Sequence, residues 1–231
     1  MRAILAIVVG CALSACASGA GGPSGEGARV RIVEIASEGA RVDAAGRTVE
    51  VAPPDGRCLD PDSVKRGQDA AFLMIGDCSP GQAGPIAAVT VGDAPLYGGG
   101  DPAEALAALD AWSATPAGLR AIGMGGRDGE VRIIETRREG DALFLYVEDV
   151  GAEGRPASSP RFWRVFSEIE GRLSMLSVHG PEALDAETLF REARRHLAAL
   201  RSANGQRGAL VAEARAPTEG VNHSPPPPRP R

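Results

Sequence analysis

Three histidines, His179, His196 and His223, are the side chains here whose ordinary pKa lies nearest neutrality. His179 ends a predicted strand, with Glu182 and Asp185 a few residues on. That spacing allows a His–carboxylate dyad, the pair a hydrolase would use for general acid–base work. Ser177 lies two residues earlier and shares a strand face with it. No nucleophile elbow or oxyanion loop goes with the set, so the plainer expectation is a surface histidine at a strand end. His196 stands beside Leu197 on a predicted helix and reads as a partly buried packing residue, while His223 falls in the C-terminal tail. The histidines include no His-x-x-x-His pair, and neither a metal nor a cofactor is expected. Gly123-Met124-Gly125-Gly126-Arg127-Asp128 superficially follows Gly-x-Gly-x-x-Gly. It ends on Asp128 and comes after a helix instead of opening one, so phosphate binding fails on context. A solvent loop is expected there.

The elements that would position these groups read as one α+β domain. Val30 to Ala36 starts the fold as a strand, and a further pair of strands meets around Ala44-Ala45-Gly46-Arg47. Thr48-Val49-Glu50-Val51 alternates polar and apolar, so one face is wet. Asp60-Pro61-Asp62-Ser63-Val64 predicts one short helical turn, with Asp60 capping and Pro61 at its first position. Ala71-Phe72-Leu73-Met74-Ile75-Gly76 is a continuous apolar run, too short for a helix. It fits a central strand covered on both faces, and Ile86 to Val91 reads the same way. Asp101-Pro102-Ala103-Glu104 predicts a capped helix start with an apolar stripe at Leu106, Leu109 and Trp112. Thr115-Pro116 starts a second short helix through Leu119 and Ile122.

From Val131 to Val178 the pattern predicts a four-stranded antiparallel meander, its hairpins turning at Glu139-Gly140 and Glu170-Gly171. Asp185 caps a long last helix with an apolar face of Leu189, Phe190, Ala193, Leu197 and Leu200, and Asn204-Gly205 ends it. The whole is an antiparallel sheet of about six to eight strands with helices packed on its faces. The last residues, 204–231, are polar and finish Pro225-Pro226-Pro227-Pro228-Arg229-Pro230-Arg231, a disordered tail with polyproline character. That tail could instead serve as an adaptor motif.

Residues 1–15 read as a signal peptide: Arg2 gives a positive start and Ala3 to Ala12 an apolar core. The core is well under the roughly 20 residues that a spanning helix needs. Leu13-Ser14-Ala15-Cys16 then resembles the lipobox of bacterial lipoproteins. The resemblance implies a thioether-linked diacylglycerol on Cys16, cleavage before it and further acylation of the new amine, palmitate-type chains in all. Each buried methylene is worth about 0.8 kcal/mol, so two or three chains anchor durably where one does not. Ala17 stands where the inner-membrane retention signal has Asp, so the resemblance favours the outer membrane, facing the periplasm. Ala15-Cys16-Ala17 also fits an ordinary Ala-x-Ala cleavage site, which would free a soluble periplasmic protein. Residues 16–28 are small and polar and make a flexible tether.

There are four cysteines. If Cys11 leaves with the leader and Cys16 carries lipid, as the resemblance implies, Cys58 and Cys78 remain in an oxidising compartment. A Cys58–Cys78 disulfide is then expected, closing a loop of roughly 20 residues worth about 3 kcal/mol. The net charge of -5 argues against a nucleic-acid partner, which would want a basic face.

The segment Phe162-Trp163-Arg164-Val165-Phe166-Ser167-Glu168-Ile169-Glu170-Gly171-Arg172-Leu173-Ser174-Met175-Leu176-Ser177-Val178, with the helix after Asp185, loosely resembles the MOG1/PsbP-like α/β/α sandwich. Gly46 to Cys78 is similar to uncharacterised lipoproteins of alphaproteobacteria. Neither resemblance carries catalytic residues over, and that fold implies accessory or binding roles by analogy alone. The domain, 29–203, is therefore expected to be a non-enzymatic module binding an envelope protein or peptidoglycan, tied to the membrane through its lipid. The alternative is a periplasmic hydrolase built on His179 and a nearby carboxylate.

Overall fold

A computed structural model describes residues 29–79, 84–124, 130–152 and 159–206. The expected Cys16, the leader, the tether, His223 and nearly all of the C-terminal tail lie outside the described residues. Within them are two antiparallel sheets and three helices, the last at the C-terminal end.

The first sheet is a three-stranded meander of β1 (Val30–Ala36), β2 (Gly39–Ala44) and β3 (Arg47–Val51). Ala44 pairs with Arg47. The turn between them is thus two residues long, and both lie at positive φ, Ala45 at 45° and Gly46 at 79°. That is the twist a tight hairpin requires. The inner positions Val30, Ala40, Val42, Val49 and Val51 are buried. The outer side is a lattice of ion pairs, Arg31–Asp43, Arg41–Glu34 and Arg41–Glu50.

The second sheet has seven strands: β4 (Arg57–Arg66), β5 (Ala70–Asp77), β6 (Ile86–Gly92), β7 (Val131–Glu139), β8 (Ala142–Asp149), β9 (Arg161–Ile169) and β10 (Arg172–His179). Their order is β4-β5-β6-β10-β9-β8-β7. The last four in sequence form the meander that the X-Gly turns predict. Glu170 (φ 52°) and Gly171 (φ 72°) make the two-residue turn between Ile169 and Arg172.

Two buried clusters use the two faces of this sheet. One joins Leu59, Leu73, Ile75, Val89, Trp163 and Val165 to the inner side of the small sheet and to α3 (Ala186–Ala203). Trp163 Nε1 donates to Ala186 O at 2.7 Å, giving the buried indole its partner. Asn204, just past α3, bonds both ways to Glu50 of β3: its Oδ1 accepts from Glu50 N at 2.9 Å and its Nδ2 donates to Glu50 O at 2.7 Å. One side chain thus imitates a neighbouring strand at that edge. The second cluster joins Leu143, Leu145, Val147, Phe162 and Phe166 to Leu106 of α1 (Pro102–Ser113) and Ile122 of α2 (Pro116–Ile122). Asp101 and Thr115 cap these helices as their sequences predict.

Two expectations are corrected. The segment 60–64 is not a helical turn but an irregular stretch of the edge strand β4, with a register shift between Asp60 and Lys65. Asp60 Oδ1 accepts from Asp62 N at 3.0 Å in an Asx turn and caps no helix, and Ser63 Oγ is drawn into the ladder by accepting from Met74 N at 2.9 Å. Pro61 costs nothing on an outer edge, where its missing N–H has no partner to serve. The second correction concerns β5 and β6, which are fully buried on one face only. Ala71, Leu73, Ile75, Ala87, Val89 and Val91 are buried, whereas Phe72, Met74, Ile86, Ala88 and Thr90 are only half-buried.

Candidate functional site

Cys58 and Cys78 are joined, with Cα atoms 4.8 Å apart. Cys58 sits in the edge strand β4 opposite Gly76, and Cys78 lies one residue beyond β5. The bond therefore clips an edge strand to its neighbour. Beside it Arg57 bonds to Asp77 and donates to Pro85 O at 3.2 Å, with Glu192 of α3 at 3.5 Å from its other terminal nitrogen. This polar cluster seats α3 against the start of the large sheet.

His179 ends β10, half-buried, with its ring stacked on Phe162 at 4.5 Å between centroids. Asp185 is occupied elsewhere: it caps α3 by accepting from Thr188 N at 2.7 Å, which holds its carboxyl below the usual range. Glu182 is exposed. Ser177 is buried on the same sheet face as His179, opposite Arg164. His196 is a packing residue, 3% exposed, and neither ring nitrogen has a hydrogen-bond partner among the described residues. Burial first, then the nearby Arg57 and Arg195 charges, push its pKa down to about 4. Of the glycine-rich stretch only Gly123 and Met124 are described. Among the described residues no group of three or more His, Cys, Asp and Glu is placed to hold a metal ion.

The feature that the sequence reading missed is a half-covered sheet face. On the side where α1 and α2 bury Leu143, Leu145 and Phe166, the register runs in rows across the sheet. One row is Lys65–Phe72–Thr90–Met175–Phe166. The next is Asp60–Met74–Ala88–Ser177–Arg164. In a third, Ile86 faces His179, which faces Phe162 on β9 through the ring stack. Partners across a ladder point to the same side, so Phe72, Met74, Ile86 and Ala88 continue the face that the helices cover further along. They belong to neither buried cluster of the described residues. Among the described residues the cover ends on β10, where Leu173 and Met175 are the last side chains packed against α1 and α2's cluster. Arg164 is buried where the open face meets the covered one, its guanidinium over Phe162 at 5.2 Å and 3.5 Å from Met175 Sδ. The open part is three strands wide, about 15 Å by 20 Å.

A separate shallow groove of about 450 Å³ lies between α3 and the chain after β3, lined by Pro53, Pro54, Asp55, Arg195, Ala199 and Ser202. Across it Arg195 donates to Asp55 O.

Compared with protein-family models, with curated proteins and with solved structures, the chain matches none. The sheet face is thus read from its own chemistry. The signal for it was present in the sequence: β5 and β6 carry apolar side chains on both faces, as strands covered on both sides do.

Proposed function

We propose that this protein is an outer-membrane lipoprotein, anchored through Cys16 and facing the periplasm, whose domain binds and does not turn over a substrate. The leader ending Leu13-Ser14-Ala15-Cys16 supports the anchor. The joined Cys58 and Cys78 support an oxidising compartment. The single observation that carries the binding role is the half-covered face of β4, β5 and β6, with Phe72, Met74 and Ile86 half-buried and packed into neither core cluster. An apolar patch of this kind on a folded domain marks a contact surface. In the same reading the helices are layers on the faces of the sheet, as in a MOG1/PsbP-like sandwich, and the domain is accessory to an envelope component.

Two measurements test this reading. Intact mass of the cell-extracted product is expected to show a chain beginning at Cys16 with lipid attached; a bare chain beginning at Ser18 ends the anchored reading. A photo-crosslinker placed at Met74 in intact cells is expected to capture an envelope component, lipid or protein, and one at Val33, on the charged outer side of the small sheet, is not. Equal capture at both positions removes the binding face. Turnover of an ester or peptidoglycan substrate that disappears in His179→Ala would replace binding with hydrolysis.

A further inference from the structure

We infer that the open face of β4, β5 and β6 seats on the lipid bilayer to which the chain is tied. This deepens the anchored reading and rests on it.

Three observations choose the occupant. First, the face is built for cover: Phe72, Met74, Ile86 and Ala88 are apolar and only half-buried, while every residue of β8, further along the sheet, is buried. Second, the area is small. About 15 Å by 20 Å is roughly 300 Å² of sheet, well short of the ~800 Å² per partner that a stable protein interface takes. A second copy laid flat on it would lack contact area, whereas a bilayer surface wraps past the rim and needs no matching partner shape. Third, the chain outside the fold leaves from the right place. Residues 1–28 precede Arg29, and Arg29 N donates to Gln68 O in the β4–β5 turn at 3.1 Å. Arg29 also pairs with Asp93 at 3.2 Å, just past β6. The exit thus lies at the end of the strands that form the open face, a few residues from Phe72. Residues 17–28 are a dozen residues, which at about 3.4 Å each can span at most about 40 Å. An anchor at Cys16 therefore keeps this edge of the domain within about 40 Å of the headgroups along the chain.

The rim specifies the kind of contact. Asp60 and Asp62 stand in the middle of β4 there and Lys65 and Arg66 at its end, all exposed. The charges offset one another, so headgroup attraction is not the drive. Contact is through Phe72, Met74 and Ile86 at the boundary of headgroup and acyl chain, and it is expected to survive salt.

The test uses the acylated full-length mature chain in phosphatidylcholine vesicles, with and without bromine on the lipid acyl chains. Emission of Phe72→Trp, less that of the wild type with its own Trp112 and Trp163, is expected to fall about two-fold in brominated lipid, as for a ring 5–10 Å into the interface. Val33→Trp, on the opposite face, is expected to be unchanged. The Phe72→Trp quenching is expected to be the same at about 0.05 and 0.5 M salt. If Phe72→Trp fails to give a cooperative melt, Met74→Trp takes its place. Equal quenching at the two faces, quenching lost at high salt, or a crosslinker at Phe72 that joins two copies of the chain and no lipid would each overturn the seating. Intact mass reads the anchor separately. An acylated sample that shows no face difference overturns the seating alone, and an unacylated product overturns both readings.

Discussion

His196 is buried on the inner face of α3 with both ring nitrogens lacking hydrogen-bond partners among the described residues. Its pKa is pushed down to about 4, from 6.5, mainly by burial. A depressed histidine pKa means that the unfolded chain takes up the proton first as pH falls. Stability from this site is whole above about pH 6.5 and is lost down to about pH 4. The loss corresponds to about 3 kcal/mol in all and about 2 kcal/mol by pH 5. Urea denaturation at pH 7.5 and pH 5 is expected to show that drop, and His196→Leu is expected to remove most of it; an equal drop in the variant would assign acid lability to other groups. Burial of His196 was legible from its place beside Leu197 on an amphipathic helix, but the Arg57 charge that adds to its lowered pKa was not, since Arg57 arrives from β4. Glu170 is a second single-residue case. The Glu-Gly pair marks the turn in the sequence, and the strain at Glu170, φ 52°, comes from the hairpin twist. Asparagine tolerates that region better. Glu170→Asn is therefore expected to stabilise the domain by about 0.5–1 kcal/mol, read as a higher melting temperature.

Elements with their own periodic signal were legible: the capped helices, the β7–β10 meander and the last helix. The edge strand β4 was not, because Asp60-Pro61 carries a helix-start signal that Ser63 overrides by accepting from Met74 N in the neighbouring strand. No local pattern announces a side chain completing a ladder from the next strand. The same holds for Asn204, which reads as a helix stop. It is also the group that closes the exposed edge of β3 through Glu50, while its Nδ2 reaches Leu200 O at 2.7 Å. Asn204→Ala is expected to cost about 1–3 kcal/mol, because Glu50's backbone groups lose partners while half-buried. Hydrogen exchange at Glu50 N–H should accelerate in the variant, and an unchanged rate would mean that water replaces the side chain without loss. The Cys58–Cys78 clip acts on another edge, that of β4 in the large sheet. Replacing both cysteines by alanine is expected to cost about 3 kcal/mol, the loop-closure entropy of some 20 residues. Arg57, Asp77 and Glu192 still hold the β4–β5 end in that variant, so unfolding should remain cooperative with a lower midpoint.

At the scale of the whole molecule, the large sheet is closed over the first cluster by the small sheet and α3, while α1 and α2 shut only part of the other face. Apolar side chains on both faces of β5 were read as burial on both faces, and that inference fails because hydrophobic pattern reports what a face suits, not what covers it. Substitutions one residue apart separate the two faces. Leu73, 0% exposed, packs between the sheets, so Leu73→Ala is expected to cost about 2–5 kcal/mol through lost burial and the cavity left behind. Met74, its neighbour, is half-buried and in neither cluster. Met74→Asp keeps Met74 N bonded to Ser63 Oγ and places the charge where water reaches it. It is expected to change stability by under about 1 kcal/mol, within the range of surface substitutions. The pair of midpoints in urea decides the matter: a large loss in Leu73→Ala with little in Met74→Asp leaves the outer face free for an occupant from outside the domain. Comparable losses would mean that the fold itself already covers Met74, and the face would then be core.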